Sequence, residues 1–177
     1  MSLVQPWEVL TAVGRRRIAC LSTHSREQTP VVHGKIELDL HADTVVAGAN
    51  CCVIHRTGRT CKVSPHRNDY DSITDVPIVQ AATAWQSPDS GQVHILTFNE
   101  ALWMGDSMTH SLVNPNQLCH CGVKVQDDPT SESPLCVMTE DAGFCLPMKM
   151  EGTATLADAH TPNAQELETC HCVELTW

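Results

Sequence analysis

A chain of 177 residues with 42% hydrophobic positions can bury one core, and 4% aromatic residues leave that core to Val, Leu, Ile, Ala and Cys, a composition suited to small β structures. The formal charge of -10, with 11 basic residues scattered from Arg15 to Lys149, repels a phosphate backbone and argues against nucleic acid as a partner of this segment. No run approaches the ~18 apolar residues of a membrane span, and Met1 to Val13 lack the basic start and apolar stretch of a secretory signal; the 10 cysteines are therefore expected as free thiols of a soluble intracellular protein, cytoplasmic rather than nuclear, with no membrane partner.

Residues 1–34 show no sustained period. Trp7, Leu10 and Val13 could form one amphipathic turn, but Gly14 and Arg15-Arg16-Arg17 interrupt it, and Ser22 to Pro30 is turn-rich, so a flexible leader is expected. From Lys35 the pattern changes. Ile36, Leu38 and Leu40 alternate with polar residues ahead of Val45-Val46-Ala47-Gly48, which predicts a strand, a tight turn and a second strand with an acid at the bend.

Cys51 to His55 and Thr60 to Ser64 read as a hairpin about the turn Arg56-Thr57-Gly58-Arg59, and Pro65 to Thr74 reads as a loop. A longer hairpin, Ile78 to Phe98, turns at Ser87-Pro88-Asp89-Ser90-Gly91, where proline presets φ and glycine accepts a positive one. Ala101 to Gly105 follows as a buried strand, Ser107 to Leu118 as a short helix or irregular turns, and Gly122 to Gln126 as a last strand before Asp127-Asp128-Pro129. The remainder, 129–177, is expected as a weakly structured extension. It carries short strands near Leu135 to Met138 and Phe144 to Met150, and a helix over Ala164 to Glu168 started by Thr161-Pro162.

Two stretches in this order carry a resemblance: Asp39-Leu40-His41-Ala42-Asp43-Thr44, and Ala101-Leu102-Trp103-Met104-Gly105-Asp106 followed by His110-Ser111-Leu112-Val113-Asn114-Pro115-Asn116-Gln117-Leu118. The chain resembles the protease region of copia-type (pseudoviral) retrotransposon polyproteins from about Glu37 to Asp128, and more weakly through Pro147 to Gly152 and Thr161 to Leu167. The resemblance implies a mainly β, small closed barrel-like retropepsin fold over 35–128, with short irregular or helical extensions. It also implies an aspartic endopeptidase that processes a polyprotein, needs no cofactor, and acts as a homodimer on a polypeptide substrate. Each subunit would supply one carboxylate of a proton-sharing pair.

Aligned on that family's apolar-Asp-Ser/Thr-Gly-Ala pattern, Asp39 is the catalytic carboxylate, with Asp43 as the competing frame, in which Val45 replaces the glycine. Leu40, His41, Ala42 and Thr44 complete the loop. Leu40 stands where a hydroxyl normally braces the paired loops, and His41 stands at the glycine position. Trp103, Met104 and Gly105 would pack beneath the loop, and Ser87 to Gly91 would be either the flap over the substrate or an exposed connection. Two alternatives stay open: an inactive remnant that serves as a binding or structural domain, and a zinc-stabilised module using Cys119, Cys121, Cys170 and Cys172. The Cys-X-Cys spacing of that quartet is tighter than structural zinc sites use.

Overall fold

The computed structural model describes residues 30–65, 69, 71–140 and 143–177, together with two short strands, β1 (Val9–Thr11) and β2 (Gly14–Arg16), which pair antiparallel. Most of the expected leader lies outside the described residues. The chain then forms β3 (His33–Leu38), β4 (Val46–Gly48), β5 (Cys52–Val63), β6 (Ile73–Gln86), β7 (Val93–Gly105), β8 (Ser111–Val113) and helix α1 (Pro115–His120). After these come β9 (Lys124–Gln126), β10 (Cys136–Met138), β11 (Cys145–Pro147), β12 (Lys149–Glu151), β13 (Ala154–His160), helix α2 (Ala164–Thr169) and β14 (His171–Glu174). Among the described residues strand makes up 52% and helix 8%, so the protein is mainly β.

Nine strands form one sheet in the order β12-β13-β3-β8-β4-β7-β6-β5, with β14 added in parallel to β7. β13 also meets β6 at His160 and Ala84, so the hydrogen-bonded path from β13 through β3, β8, β4, β7 and β6 returns on itself. A small sheet, β11-β10-β9, stands apart. Inward side chains of the ring, among them Ile36, Val45, Ala47, Val79, Leu96, Phe98 and Val113, share one buried cluster with Val137, Leu146, Ala157, Val173 and Leu175. Residues on both sides of position 128 therefore make the same core. β13 satisfies the free edge of β3, Thr155 to His160 pairing with His33 to Leu38, and the sheet does not follow the expected boundary between a domain and a weakly structured extension.

Local chemistry explains three further differences from expectation. β5 runs unbroken through Gly58, whose φ of +76° produces a bulge instead of a turn: Arg56 still faces Val79 and Thr60 faces Pro77, while the Thr57 hydroxyl donates to the Ile78 carbonyl. Gly122 to Gln126 contributes β9 to the small sheet, outside the main one. The cap of α2 is Asn163 and not Thr161, because the Thr161 hydroxyl donates instead to the Ala49 carbonyl at 2.8 Å. A bulge at Asn99 and Glu100 in β7, with Glu100 at φ +57°, turns the Asn99 amide toward the C-terminal strand, where it donates to Glu174 Oε1 and to the Thr176 carbonyl. Among the described residues no helix is long and apolar enough to cross a membrane.

Candidate active site

β3 delivers Asp39. Its N–H donates to the Val113 carbonyl at 3.0 Å, continuing the parallel pairing of β3 with β8 in which Leu38 faces Val113. β8 also pairs antiparallel with β4, at Val46 and Leu112, so it lies between the two strands that the Asp39 segment connects. The expected tight turn is therefore a wide arch, which must cross two inter-strand spacings, roughly 10 Å at about 4.8 Å each.

An arch of this width cannot satisfy its own backbone, and helix α1 supplies the partners. Asn114 caps α1: its side-chain oxygen accepts the Gln117 N–H at 2.9 Å, and Pro115 occupies the first helical position, where its missing N–H costs nothing. The Asn114 amide nitrogen donates to the Ala42 carbonyl. Gln117 Oε1 accepts the Val45 N–H at 2.9 Å and the Thr44 hydroxyl at 3.3 Å. On the other flank, Leu102 N–H donates to the Val45 carbonyl at 2.9 Å, and Ala47 and Gly48 of β4 pair with Trp103 and Gly105 of β7. Gly105 has a φ of +49° with the Trp103 ring 3.2 Å from where its Cβ would stand, so a larger residue there is opposed by backbone and packing together.

Within this frame the half-buried Asp39 uses Oδ1 to accept the His41 N–H at 2.8 Å, a local bond that fixes the carboxylate's orientation, while Oδ2 has no hydrogen bond among the described residues. Leu40 is 61% exposed, and His41 and Asp43 are exposed beside it. Ala42 and Thr44 are half-buried against α1.

The other expected site residues fall in three places. Trp103, Met104 and Gly105 lie on the strand adjacent to β4 and so beside the arch. Ser87 to Gly91 form the exposed β6–β7 turn, closed by Ser87 N–H donating to the Gln92 carbonyl at 2.8 Å. Along β7 from Val93 beside that turn to Leu102 beside the arch is roughly 30 Å of strand at about 3.3 Å per residue. Cys119 is exposed on α1 and Cys121 is buried at its end, whereas Cys170 ends α2 and Cys172 lies on β14 near Thr97. Among the described residues no group of three or more His, Cys, Asp or Glu comes together to hold a metal.

Asn114 and Gln117 lie in the second stretch of the resemblance, but sequence reasoning assigns neither of them a role at the site. Asn-Pro at 114–115 does carry the signature of a cap followed by the first helical position. Nothing local signals that the helix grips the arch, since the bond from Val45 to Gln117 spans 72 positions. No protein-family model matches the chain, and neither does any curated protein or solved structure.

Proposed function

We propose that this chain is one subunit of an aspartic endopeptidase of the retropepsin type, acting on a polypeptide such as a retrotransposon polyprotein. Two Asp39 carboxylates, one from each subunit of a homodimer, would share a proton. The ionised one takes a proton from the attacking water, and the protonated one donates to the carbonyl oxygen of the scissile bond. The observation that carries this proposal is the state of Asp39: presented on an arch braced from outside by Val113, Asn114 and Gln117, with one carboxylate oxygen left for chemistry. Placing the two carboxylates on a two-fold axis requires no second acid from the same chain.

The exposure of Leu40 favours a second proposal, a catalytically inactive remnant that binds a partner. A leucine cannot form the hydroxyl brace that the family uses between paired loops.

Cleavage of a mixed peptide library between acid and neutral pH, at two protein concentrations, tests the two. Endopeptidase function predicts activity that rises faster than concentration, disappears in Asp39→Asn and survives in Asp43→Asn. A folded dimer without activity would establish the inactive remnant. Loss in Asp43→Asn alone would move the catalytic role to Asp43.

A further inference from the structure

We propose that Gln117 is a positioning residue for Asp39, acting through the far arm of the arch. The kinetic part of this inference rests on the endopeptidase proposal; the geometric part does not.

The two helices carry the same local pattern, an Asn cap followed three residues later by an amide or acid. In α2 the pattern closes on itself: Asn163 accepts the Glu166 N–H at 2.9 Å, and Glu166 reaches back to accept the Asn163 N–H at 2.9 Å. In α1 only the first half forms. Asn114 accepts the Gln117 N–H, but the Gln117 side chain is turned away from its own cap and toward Val45 and Thr44. Its stabilising role in the helix is given up for a bond to the arch.

The direction of that amide follows from its partners. Val45 N–H can only donate, so the oxygen of Gln117 must face it. Together Gln117 and Asn114 hold an N–H and a carbonyl on either side of Asp43, which fixes residues 42–45 as a unit on α1. The near arm is fixed by Asp39 N–H on Val113. Between these anchors, among the described residues, only His41 N–H orients the carboxylate, and His41 is joined directly to Ala42, the first residue held by the helix. A loosened far arm therefore becomes a misdirected carboxylate. A displacement of about 1 Å at a reacting group can reduce turnover ~100-fold.

Two variants separate positioning from support of the fold. Gln117→Met keeps the length of the side chain and removes the strong acceptor. Gln117→Glu keeps both the length and the acceptor for the Val45 N–H. In Gln117→Met we expect kcat to fall at least about tenfold with KM within about twofold, and the Asp39 χ1 couplings measured by NMR to change from one rotamer to an average. In Gln117→Glu we expect one rotamer and turnover retained, because an oxygen remains for the Val45 N–H, whereas a role in fold stability alone would leave the Asp39 rotamer unaltered in both variants. Wild-type kcat in Gln117→Met, or equal losses in both variants, would overturn the proposal. If the wild-type protein cleaves nothing, the endopeptidase proposal fails by itself and the couplings decide this one: an unaltered Asp39 rotamer in Gln117→Met overturns positioning, and an averaged one sustains it.

Discussion

Ser111 Oγ donates to Asn50 Oδ1 at 2.7 Å, and both side chains have 0% exposure. The same hydroxyl accepts the Gly48 N–H at 3.0 Å, while the Asn50 amide donates to the Lys35 carbonyl at 3.2 Å. The pair thus joins β3, β8 and the end of β4 immediately behind the arch, where the low local dielectric makes satisfied bonds strong and orphaned groups costly. Ser111→Ala would leave the Gly48 N–H and Asn50 Oδ1 buried without partners. We expect a loss of about 3 kcal/mol in urea unfolding, at about 1–3 kcal/mol for each orphaned group. A loss below about 1 kcal/mol would mean that the knot is dispensable.

Asn114 has two duties that substitution can divide. Asn114→Ala removes the cap and the grip on Ala42, and the cap alone is worth about 1 kcal/mol. Asn114→Asp retains an oxygen for the Gln117 N–H and adds a favourable charge at the helix start, but it sets a carboxylate against the Ala42 carbonyl. Amide exchange should show α1 still protected in the Asp variant and lost in the Ala variant, with the arch loosened in both. Equal protection of α1 in the two would refute the division.

His94 supplies a pH dependence. Its ring lies among Trp85, Phe144 and His171, its Nδ1 is buried with no hydrogen-bond partner among the described residues, and burial followed by the charge of His171 holds it below the ordinary value of 6.5. With its folded value lowered, the unfolded chain binds the proton more readily. Its contribution is therefore complete above pH 6.5 and is lost as pH falls through the folded value. His94→Phe removes the titration and the orphaned nitrogen in a site already aromatic. The melting temperature of this variant should decline less steeply than wild type between about pH 6.5 and pH 5. An identical slope would place the acid sensitivity elsewhere.

Thiol reactivity should divide the described cysteines sharply. Burial pushes Cys51 up to about 11, against the opposing bonds from Ser111, Thr83 and Gly48, and burial likewise pushes Cys172 up to about 11. Cys119 and Cys145 are exposed. Brief alkylation at neutral pH followed by mass spectrometry should modify the exposed pair first. Cys51 and Cys172 should react roughly 100-fold more slowly than a free thiol, since only the thiolate attacks and two pKa units reduce its population by that factor. Early modification of Cys51 would show that the β4–β5 corner opens readily.

Legibility in the sequence followed the range of the interaction. The alternation at Ile36 and Leu38 and the turn residues at Ser87 to Gly91 act over a few positions, and β3 and the β6–β7 turn form where those signals lie. The turn read at Gly58 is a bulge in one continuous strand, because a positive φ serves both and the Ile78 carbonyl across the ladder decides between them. The pairing of β13 with β3 and the grip of Gln117 on Val45 join residues far apart in sequence, and the residues involved would look the same on any strand or helix. At the site, the position of Asp39 at a bend was legible. The width of that bend was not, because it depends on β8 entering between its two strands.

The position of β3 has a consequence for biosynthesis. Both of its neighbours, β8 and β13, are made later in the chain, and the second of them ends at His160. As the polypeptide is synthesised, β3 exposes two open ladders until Ser111 to Val113 emerges, and one until Ala154 to His160 follows. Open strand edges recruit other chains. A version ending at residue 128 would keep Asp39 and its helix clamp yet carry a permanently sticky margin, and expression of such a fragment should yield inclusion bodies where the 177-residue chain does not.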